Sequence, residues 1–286
     1  MTGNGSLHAN LTGIVLEQDD FEKVRRLIYA YSGINMHEGK HALVRARLMK
    51  RLRELRMDSF RDYLNYIESE EGSAEFLSFV DVLTTNKTHF FRENKHFDFI
   101  RDKVAAEVAG RNKKWWSAGC SSGEEPVTLA ITLFESLKSM NTKPTGVKIL
   151  ATDLSREVLG IAKAGEYPEN RMDDVPQEIK RKYFRKQASI SASYGVSPEI
   201  MQMITYGRLN LLAEWPMKGP FHVIMCRNVM IYFDRKTQQQ LISRFYNLLE
   251  PGGYLFIGHS ESVSGKDHSF VNVMPAVYQK PGRPDS

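Results

Sequence analysis

The first part of the chain repeats apolar residues at intervals of three and four positions, which is the spacing of amphipathic helices. The pattern covers residues 21–33, 42–55, 59–69 and 74–83. Residues typical of helix caps and helix ends fall between these segments: Asp58, Ser59 and Ser73 as N-terminal caps, and Gly33 and Gly72 at ends. The spacing therefore predicts an all-α domain over residues 1–83.

From about residue 112 the pattern changes to short apolar runs that alternate with amphipathic helices. Strands are predicted within residues 113–119, 146–153, 204–212, 221–226 and 254–258, and helices over residues 124–140, 155–165 and 235–250. Such alternation is typical of βαβ units, so this part predicts an α/β fold with a parallel sheet covered by helices on both faces. Pro251, Gly252 and Gly253 are predicted to form the turn into the last strand.

Two segments follow neither pattern. Residues 84–93 connect the helical part to the alternating part and are predicted to be a link between two domains. Residues from about 166 to 204, called the insertion below, contain three prolines among short apolar runs. Prolines and short runs are typical of small irregular sheets, so we expect a small β-subdomain there. The main α/β domain is then predicted to span residues 94–286.

Composition narrows the protein class. The chain has 286 residues, of which 42% are hydrophobic and 26% charged, and this excludes a disordered chain. Two cysteines cannot form a disulfide framework, and neither a signal peptide nor an apolar run of ~18 residues is present. We therefore expect a soluble cytoplasmic protein. A net charge of +5 is modest and leaves nucleic acid, an anionic membrane or an acidic protein as partners.

Small residues follow the first predicted strand. Residues 119–123, called the glycine loop below, lead from that strand into a helix that begins with Glu124 and Glu125. Glycines let the backbone approach a ligand, and the first turn of a helix offers free N–H groups. The loop lacks the GK[ST] sequence of phosphate-binding loops, and its glutamates suit a cationic or amine-bearing ligand. The alternative is an ordinary tight turn.

Two later strand ends also carry polar side chains. Asp153 ends the second strand and either accepts hydrogen bonds from ribose hydroxyls or caps the next helix. Arg227 and Asn228 follow the strand at residues 221–226, which is predicted to be buried, and Tyr232 and Phe233 come shortly after them. Because ligands bind beyond the carboxyl ends of parallel strands, these residues predict a site for a cofactor with ribose and adenine. S-adenosylmethionine fits, since it lacks phosphates and carries a cationic sulfonium and amine.

The motifs TTNKTHFFRE, WWSAGCSSGEEP, ATDLS, LNLL, FHVIMCRNVMIYFD and PGGYLFIGHSES, in this order, resemble the chemotaxis receptor methyltransferases of the CheR family. The resemblance covers nearly the whole chain. It implies a Rossmann-like class I methyltransferase sheet with a small β insertion, preceded by an all-α domain. It also implies transfer of a methyl group from S-adenosylmethionine to glutamate side chains on the cytoplasmic helices of methyl-accepting chemoreceptors, as part of chemotactic adaptation.

The resemblance also implies a set of site residues. Cofactor contacts are expected from Asn86, Thr88, Arg92, Glu125, Asp153, Asn210, Leu211, Asn228 and Val229. Arg92 and Tyr232 match residues near the transferring methyl group and are the expected catalytic positions, and no metal is expected. A substrate glutamate is already ionised at neutral pH, so alignment rather than a general base is expected to drive the reaction.

Two other motifs in the sequence are typical of different chemistry. Residues 119–123 match G-x-S-x-G, and with Ser121, Asp153 or Asp234, and His259 they could form a serine hydrolase triad. No oxyanion loop is visible, and the glutamates after the loop would oppose an oxyanion, so this is the alternative function. Residues 37–41 match H-E-x-x-H, but Gly39 and its polar neighbours indicate a loop between helices and not a zinc-binding helix.

The predicted helix at residues 41–56 concentrates basic charge. Arg47, Lys50, Arg51 and Arg53 are among its basic positions outside the apolar face. A solvated surface and a docking face for an acidic protein are both compatible with this pattern, and the resemblance favours docking to glutamate-rich receptor helices. No aromatic pattern indicates nucleic acid. The insertion could bind a receptor C-terminal tail peptide, and a monomer is expected.

Overall fold

A computed structural model describes residues 13–187, 192–263 and 268–282. Its contacts divide the chain into two compact units, one ending at Thr85 and the other beginning at Asn86. The division falls inside the 84–93 segment that the sequence marks as a link, and it places most of that segment with the larger unit. None of the helices in the described ranges is both long and apolar enough to cross a bilayer.

Four α-helices form the smaller unit over its described residues, as the apolar spacing predicts. They are α1 (Gln18–Ser32), α2 (His41–Leu55), α3 (Phe60–Glu68) and α4 (Ser73–Leu83). Helix α4 packs on α2 and α3, and α1 packs on α3. Their buried faces carry the residues at three and four spacing, such as Val24, Leu48 and Phe79. The prediction of an all-α domain at the start of the chain is confirmed.

The helix ends agree with the sequence in part. Ser59 accepts a hydrogen bond from the Asp62 amide and caps α3, and Gly33 ends α1 with φ +74°. Ser73 is not a cap, because it is already the first residue of α4 and Gly72 precedes it as the cap position. Gly72 does not end a helix either. A Cβ there would lie 1.8 Å from the Tyr66 carbonyl oxygen, so close backbone packing explains this glycine.

The larger unit holds the predicted sheet. Its strands are β1 (Lys113–Ala118), β2 (Val147–Asp153), β6 (Ile204–Arg208), β7 (Phe221–Cys226), β8 (Leu249–Ile257), β9 (Val271–Met274) and β10 (Val277–Gln279). They are ordered β6-β2-β1-β7-β8-β10-β9. The first five are parallel, as predicted. The purely parallel expectation is wrong at one edge, because β10 runs antiparallel to both β8 and β9.

Helices cover both faces of this sheet. The α-helices described in the larger unit are α5 (Lys95–Phe99), α6 (Ala105–Val108), α7 (Glu124–Ser139), α8 (Arg156–Ala164), α9 (Gln177–Tyr183), α10 (Pro198–Met201) and α11 (Arg235–Leu248), with a π-helical stretch over Ile100–Val104. Trp115 and Trp116, adjacent on β1, enter different apolar clusters, one packed under α7 and the other under α11. Alternate side chains of a strand point to opposite faces, so each cluster fills one layer of an α/β sandwich.

The predicted turn before the last parallel strand is not found. Pro251, Gly252 and Gly253 lie inside β8 instead of forming a turn before it. Gly252 has φ +82°, and the pairing with β7 shifts register between Phe221 and Val223, so the glycine serves a local irregularity of the strand.

The insertion forms the predicted small sheet. Its strands are β3 (Glu166–Pro168), β4 (Phe184–Gln187) and β5 (Ser193–Val196), and both outer strands pair antiparallel with β5. Residues 188–191 of the insertion lie outside the described residues. Tyr167, on β3, donates from its hydroxyl to the Ser122 carbonyl at 2.9 Å. The insertion is thereby attached to the glycine loop.

Candidate active site

The glycine loop is built for close approach to the loop that follows β7. Gly119 has φ +87°, and its amide and that of Cys120 donate to the Thr152 carbonyl at the end of β2. A Cβ on Gly119 would lie 2.4 Å from Cγ2 of Val229. Only glycine fits this position without a shift, because both its backbone conformation and the space beside it exclude a side chain. The ends of β1, β2 and β7 therefore meet here, as the parallel topology predicts.

Asp153 joins three segments of this edge. Its Oδ2 accepts a hydrogen bond from the Ser121 amide at 2.8 Å, and its Oδ1 accepts from the Ser155 amide at 3.0 Å. The hydroxyl of Ser121 donates to the Asn86 carbonyl at 2.9 Å. Ser155, not Asp153, caps α8 through the Val158 amide. The N-cap alternative for Asp153 is therefore wrong, and its carboxylate lies beside the glycine loop.

The two glutamates at the start of α7 have different surroundings, which the sequence did not separate. Glu124 is fully buried, forms an ion pair with Arg171 of the insertion, and accepts a hydrogen bond from the Ser122 hydroxyl. The expectation that both glutamates face a cationic ligand is thus wrong for Glu124, whose charge is already balanced. Glu125 retains a side chain that is 12% exposed.

Glu125 is held by one hydroxyl and one guanidinium. Its Oε1 accepts from the Ser117 hydroxyl at 2.7 Å, and its Oε2 accepts from Arg227 at 3.2 Å. Burial raises the pKa of the Glu125 carboxyl, and Arg227 opposes this shift. Each carboxylate oxygen can accept a further hydrogen bond. The group can therefore receive a donor from a ligand without losing its present partners.

Arg227 is the centre of a buried charge network that the sequence analysis did not assign. Its side chain is 2% exposed, and it donates to Glu93 at 3.1 Å and to the carbonyl oxygen of Arg92. Its guanidinium also lies 5.3 Å from the ring centroid of Phe97. The sequence signal was an arginine placed directly after a wholly buried strand. Such a buried charge needs partners, but the sequence does not show which carboxylates supply them.

Asn228 presents an unsatisfied acceptor at the same edge. It has φ +57°, its amide donates to Glu261 at 2.9 Å, and its Nδ2 donates to Glu93 at 3.3 Å. Its Oδ1 is buried and has no hydrogen-bond partner among the described residues. Buried polar atoms are normally paired, so this oxygen suits a donor from a ligand.

Glu261 fixes the turn that carries Tyr232. Besides the Asn228 amide, its carboxylate accepts from the amides of Ile231 at 3.1 Å and Gly258 at 2.5 Å. Residues 230–232 form a single 3-10 turn, in which Tyr232 is half-buried. The clustering of backbone amides on one carboxylate holds this turn against the end of β8.

Arg92 lies in a segment of unusual backbone. Phe91 and Glu93 on either side of it have φ values of +56° and +54°, a region that non-glycine residues rarely adopt. The Arg92 side chain donates to the Lys87 carbonyl at 2.8 Å, and its own carbonyl accepts from Arg227. Strained backbone of this kind persists where neighbouring contacts hold it, often at functional sites.

The remaining expected cofactor residues have mixed surroundings. Asn210, after β6, accepts at Oδ1 from the Leu212 amide at 3.0 Å. Leu211 is buried in the apolar cluster against which Val229 packs. The structure therefore places Val229 beside Gly119 of the glycine loop and against the apolar cluster that contains Leu211. Thr88 is half-buried in the 86–93 segment.

A fully buried histidine lies beside this network. Burial, followed by the positive charge of Arg227, lowers the pKa of His96 to about 3, so the imidazole is neutral. Its Nδ1 lies 3.6 Å from Glu93, and its ring contacts that of His259 at a centroid distance of 5.0 Å. The ligand atoms of Glu93, His96 and His259 lie within 4.8 Å of one another, but Glu93 is already paired with Arg227.

Neither rejected motif gains support from the structure. The Ser121 hydroxyl donates to the Asn86 carbonyl, whereas the His259 ring packs on His96. In the other motif, Glu38–Lys40 form a 3-10 turn and His41 begins α2, with its Nε2 2.8 Å from the Leu16 carbonyl oxygen. His37 and His41 therefore do not share one face of a helix. This agrees with the prediction of a loop between helices.

The four residues of α2 that are predicted to form the docking face divide into two pairs. Arg47 donates to the carbonyls of Leu83 and Thr84 at 2.9 and 3.0 Å. Arg51 forms two hydrogen bonds to buried Glu75, a partner that the sequence analysis did not recognise. Lys50 and Arg53 are exposed. Arg47 and Arg51 thus support the helical unit, and Lys50 and Arg53 remain the available basic side chains of the predicted docking face.

The strand-end residues fit S-adenosylmethionine. Asp153 and Glu125 supply acceptors for hydroxyl and amine donors, and the orphaned Asn228 Oδ1 supplies a third. Leu211 belongs to the apolar cluster on which Val229 packs, and a flat base would match such apolar side chains. Acceptors next to an apolar wall match a ligand with a ribose, an adenine and cationic groups, and they do not match a phosphate.

Comparisons with known proteins agree with this geometry. Residues 86–278 match the family model described as "CheR methyltransferase, SAM binding domain", and residues 19–84 match "CheR methyltransferase, all-alpha domain". A probable chemotaxis protein methyltransferase of Rhizobium etli is 40% identical over 88% of this chain and 96% of its own length. Chemotaxis protein methyltransferases of Borreliella burgdorferi and Escherichia coli are 37% and 38% identical, each over 96% of this chain, and over 97% and 96% of their own lengths.

Proposed function

The chain belongs to the CheR methyltransferase family, and from this membership we propose that it methylates glutamate side chains of chemoreceptors to give glutamyl methyl esters. As a member it is an S-adenosylmethionine-dependent methyltransferase. The observation that carries the choice of acceptor is the cationic side chain of Arg92, in the segment that Arg227 holds through the Arg92 carbonyl, because a carboxylate substrate must approach the methyl group.

We assign the cofactor contacts to the strand ends. Asp153 accepts from the ribose hydroxyls, and Glu125 accepts from the cofactor's amine. Leu211 and Val229 contact the adenine, and Asn210 lies at its edge. Asn86, Thr88, Arg92 and Asn228 complete the contacts from the 86–93 segment and from the end of β7.

The reaction needs few groups from the protein. The cofactor, when bound, supplies a methyl carbon activated by its sulfonium. A glutamate carboxylate is ionised at neutral pH, so no residue has to remove a proton from it. The contribution of the protein is to hold the carboxylate oxygen in line with the methyl carbon, and such positioning can lower a barrier by ~7–11 kcal/mol.

Arg92 and Tyr232 are the proposed positioning groups at the methyl. Arg92 is a cation in a backbone that Arg227 holds, and it is suited to orienting a carboxylate. Tyr232 lies in the turn that Glu261 fixes, and its ring is suited to confining the methyl group. Replacement of Arg92 by Ala, which removes the cation, and of Tyr232 by Ala, which removes the ring, should each lower turnover. Retention of wild-type turnover and cofactor affinity in both variants would contradict the assignment.

The test of the function is methyl transfer to receptor-containing membranes. Tritiated S-adenosylmethionine should label the receptor, and mild base should release the label as methanol, as expected of an ester. Receptors with the acceptor glutamates replaced by alanine are the control and should stay unlabelled. Base-stable label, or label on another protein, would contradict glutamate methylation. Reaction of Ser121 with a fluorophosphonate, without cofactor binding, would instead support the hydrolase alternative.

The proposed partner is the cytoplasmic helical region of a chemoreceptor. Lys50 and Arg53, exposed on α2, can approach glutamate-rich helices without losing a partner inside the unit. The small sheet of the insertion offers β3 and β4 as outer strands, which could pair with an extended receptor-tail peptide. Two measurements separate tail binding from receptor methylation. The first is binding of a free tail peptide to the protein, and the second compares methylation of receptors with and without the tail.

A further inference from the structure

We propose that Arg227 is a positioning residue for the cofactor's amino-acid end, because it orients Glu125 and at the same time holds the backbone of Arg92. The inference rests on the proposed role of Glu125 as the acceptor for the cofactor's amine. It concerns a residue that lies after β7 and whose side chain is only 2% exposed, so it does not contact bulk solvent.

The geometry gives Arg227 two tasks. One nitrogen, Nη1, donates to Glu125 at 3.2 Å, and the other, Nη2, donates to Glu93 and to the Arg92 carbonyl. A planar guanidinium fixes the relative positions of the groups at its two ends. Glu125 at the start of α7 and the strained 91–93 segment are thereby held at a set separation. A lysine retains the charge but cannot span both ends in the same way.

The charges around Glu125 explain why it needs Arg227. Burial raises the pKa of the Glu125 carboxyl, Arg227 and the Ser117 hydroxyl lower it, and Glu93 raises it. The thiols of Cys120 and Cys226 are also close enough to be affected by the Glu125 charge. Without Arg227, the pKa of Glu125 would lie closer to neutral pH, so more of the carboxyl would be protonated. A protonated carboxyl is a poorer acceptor for an ammonium.

The experiment compares two probes that differ at the amino-acid end. S-adenosylhomocysteine carries the amine, whereas 5′-methylthioadenosine has the same adenosine and sulfur without it. Their dissociation constants should be measured by calorimetry from pH 6 to pH 8, where the amine stays protonated. At pH 6 we expect Arg227→Met to bind S-adenosylhomocysteine at least about tenfold more weakly than the wild-type protein does. This affinity should recover as the pH rises. Binding of 5′-methylthioadenosine should change by less than about twofold, and Arg227→Lys should recover part of the lost preference.

The controls separate this role from a loss of structure. Arg171→Met removes the arginine paired with the neighbouring Glu124 and should affect both probes alike. Glu93→Gln removes the carboxylate that opposes ionisation of Glu125, so S-adenosylhomocysteine binding should extend to lower pH than in the wild type. This opposite shift tests the proposal even if Arg227→Met does not fold. Equal weakening of both probes by Arg227→Met, or an unshifted pH profile in Glu93→Gln, would overturn it.

Glu125→Gln distinguishes the failure of the premise from the failure of the inference. If Glu125 accepts from the amine, this variant should lose the preference for S-adenosylhomocysteine over 5′-methylthioadenosine. An unchanged preference would refute the role of Glu125 itself, whereas a lost preference together with an inert Arg227 would refute only the inference. Methyl transfer by the wild-type protein to receptors remains a separate test of the proposed function.

Discussion

His96 shows what one buried residue contributes to the active-site edge. Its ring is fully buried between Phe256 and His259, and Glu93 and Arg227 are its charged neighbours. A histidine in this position cannot be protonated without placing a second positive charge beside Arg227. The ring can therefore occupy this position only while it is neutral. Protonation of His96 favours the unfolded chain.

Replacing His96 by Phe should flatten the pH dependence of stability. An unfolded histidine titrates near pH 6.5, but burial and Arg227 lower the pKa of native His96 to about 3. Between these values the unfolded chain binds a proton that the native chain does not, so the free energy of unfolding falls as the pH falls. In His96→Phe the slope between pH 6 and pH 4 should be smaller by up to about 1.4 kcal/mol per pH unit. Urea unfolding at several pH values measures it, and an unchanged slope would show that native His96 titrates normally.

At the scale of elements, the active-site edge depends on how closely two loops approach. The glycine loop and the loop after β7 meet where Gly119 faces Val229, and neither loop belongs to a regular element. The strands bring the loops to the same edge of the sheet, but the final contact depends on the absence of one Cβ. The proposed cofactor-binding surface is therefore sensitive to a single methyl group.

Gly119→Ala should weaken cofactor binding, and Val229→Ala should restore part of it. The new Cβ would lie 2.4 Å from the Val229 side chain, and φ +87° is strained for alanine whatever the space. The strain of the backbone conformation costs ~1–2 kcal/mol, about a tenfold effect, and the clash adds to it. The double variant should bind S-adenosylhomocysteine more tightly than Gly119→Ala alone, because only the clash is relieved. If Val229→Ala gives no recovery in that background, the two loops do not meet as described.

At the scale of the whole molecule, the features that could be predicted from the sequence are those that depend on a local pattern of residues. Helices, most strands and the strand ends follow from periodicity, so Asp153 and Asn228 could be found as polar residues after apolar runs. The pairing of Arg227 with Glu93 and Glu125 joins residues 134 and 102 positions apart, and no spacing rule reveals it. The antiparallel β9 and β10 were missed because each has only three or four residues, too few for a clear alternation.

The same limit applies to charge. Four basic residues on α2 looked equivalent in the sequence, yet Arg51 is bound to Glu75, which is 24 positions away, and to Glu54. Charge reversal at Arg51 would place a carboxylate against buried Glu75 and destabilise the helical unit. It would therefore not test docking. Lys50 and Arg53 can be reversed without this effect because both are exposed.

Reversing Lys50 and Arg53 to Glu should weaken receptor methylation and make it less sensitive to salt. Attraction between exposed charges is screened over ~10 Å at 0.1 M salt, so the wild-type KM for receptor should rise as salt is added. The double variant should raise that KM by about tenfold at low salt, which corresponds to ~1.4 kcal/mol, with a flatter salt dependence. Lys138→Glu with Lys143→Glu changes the net charge equally at exposed positions of the other unit and serves as the matched control. Equal effects of the two double variants would show that total charge, and not α2, governs the encounter with the receptor.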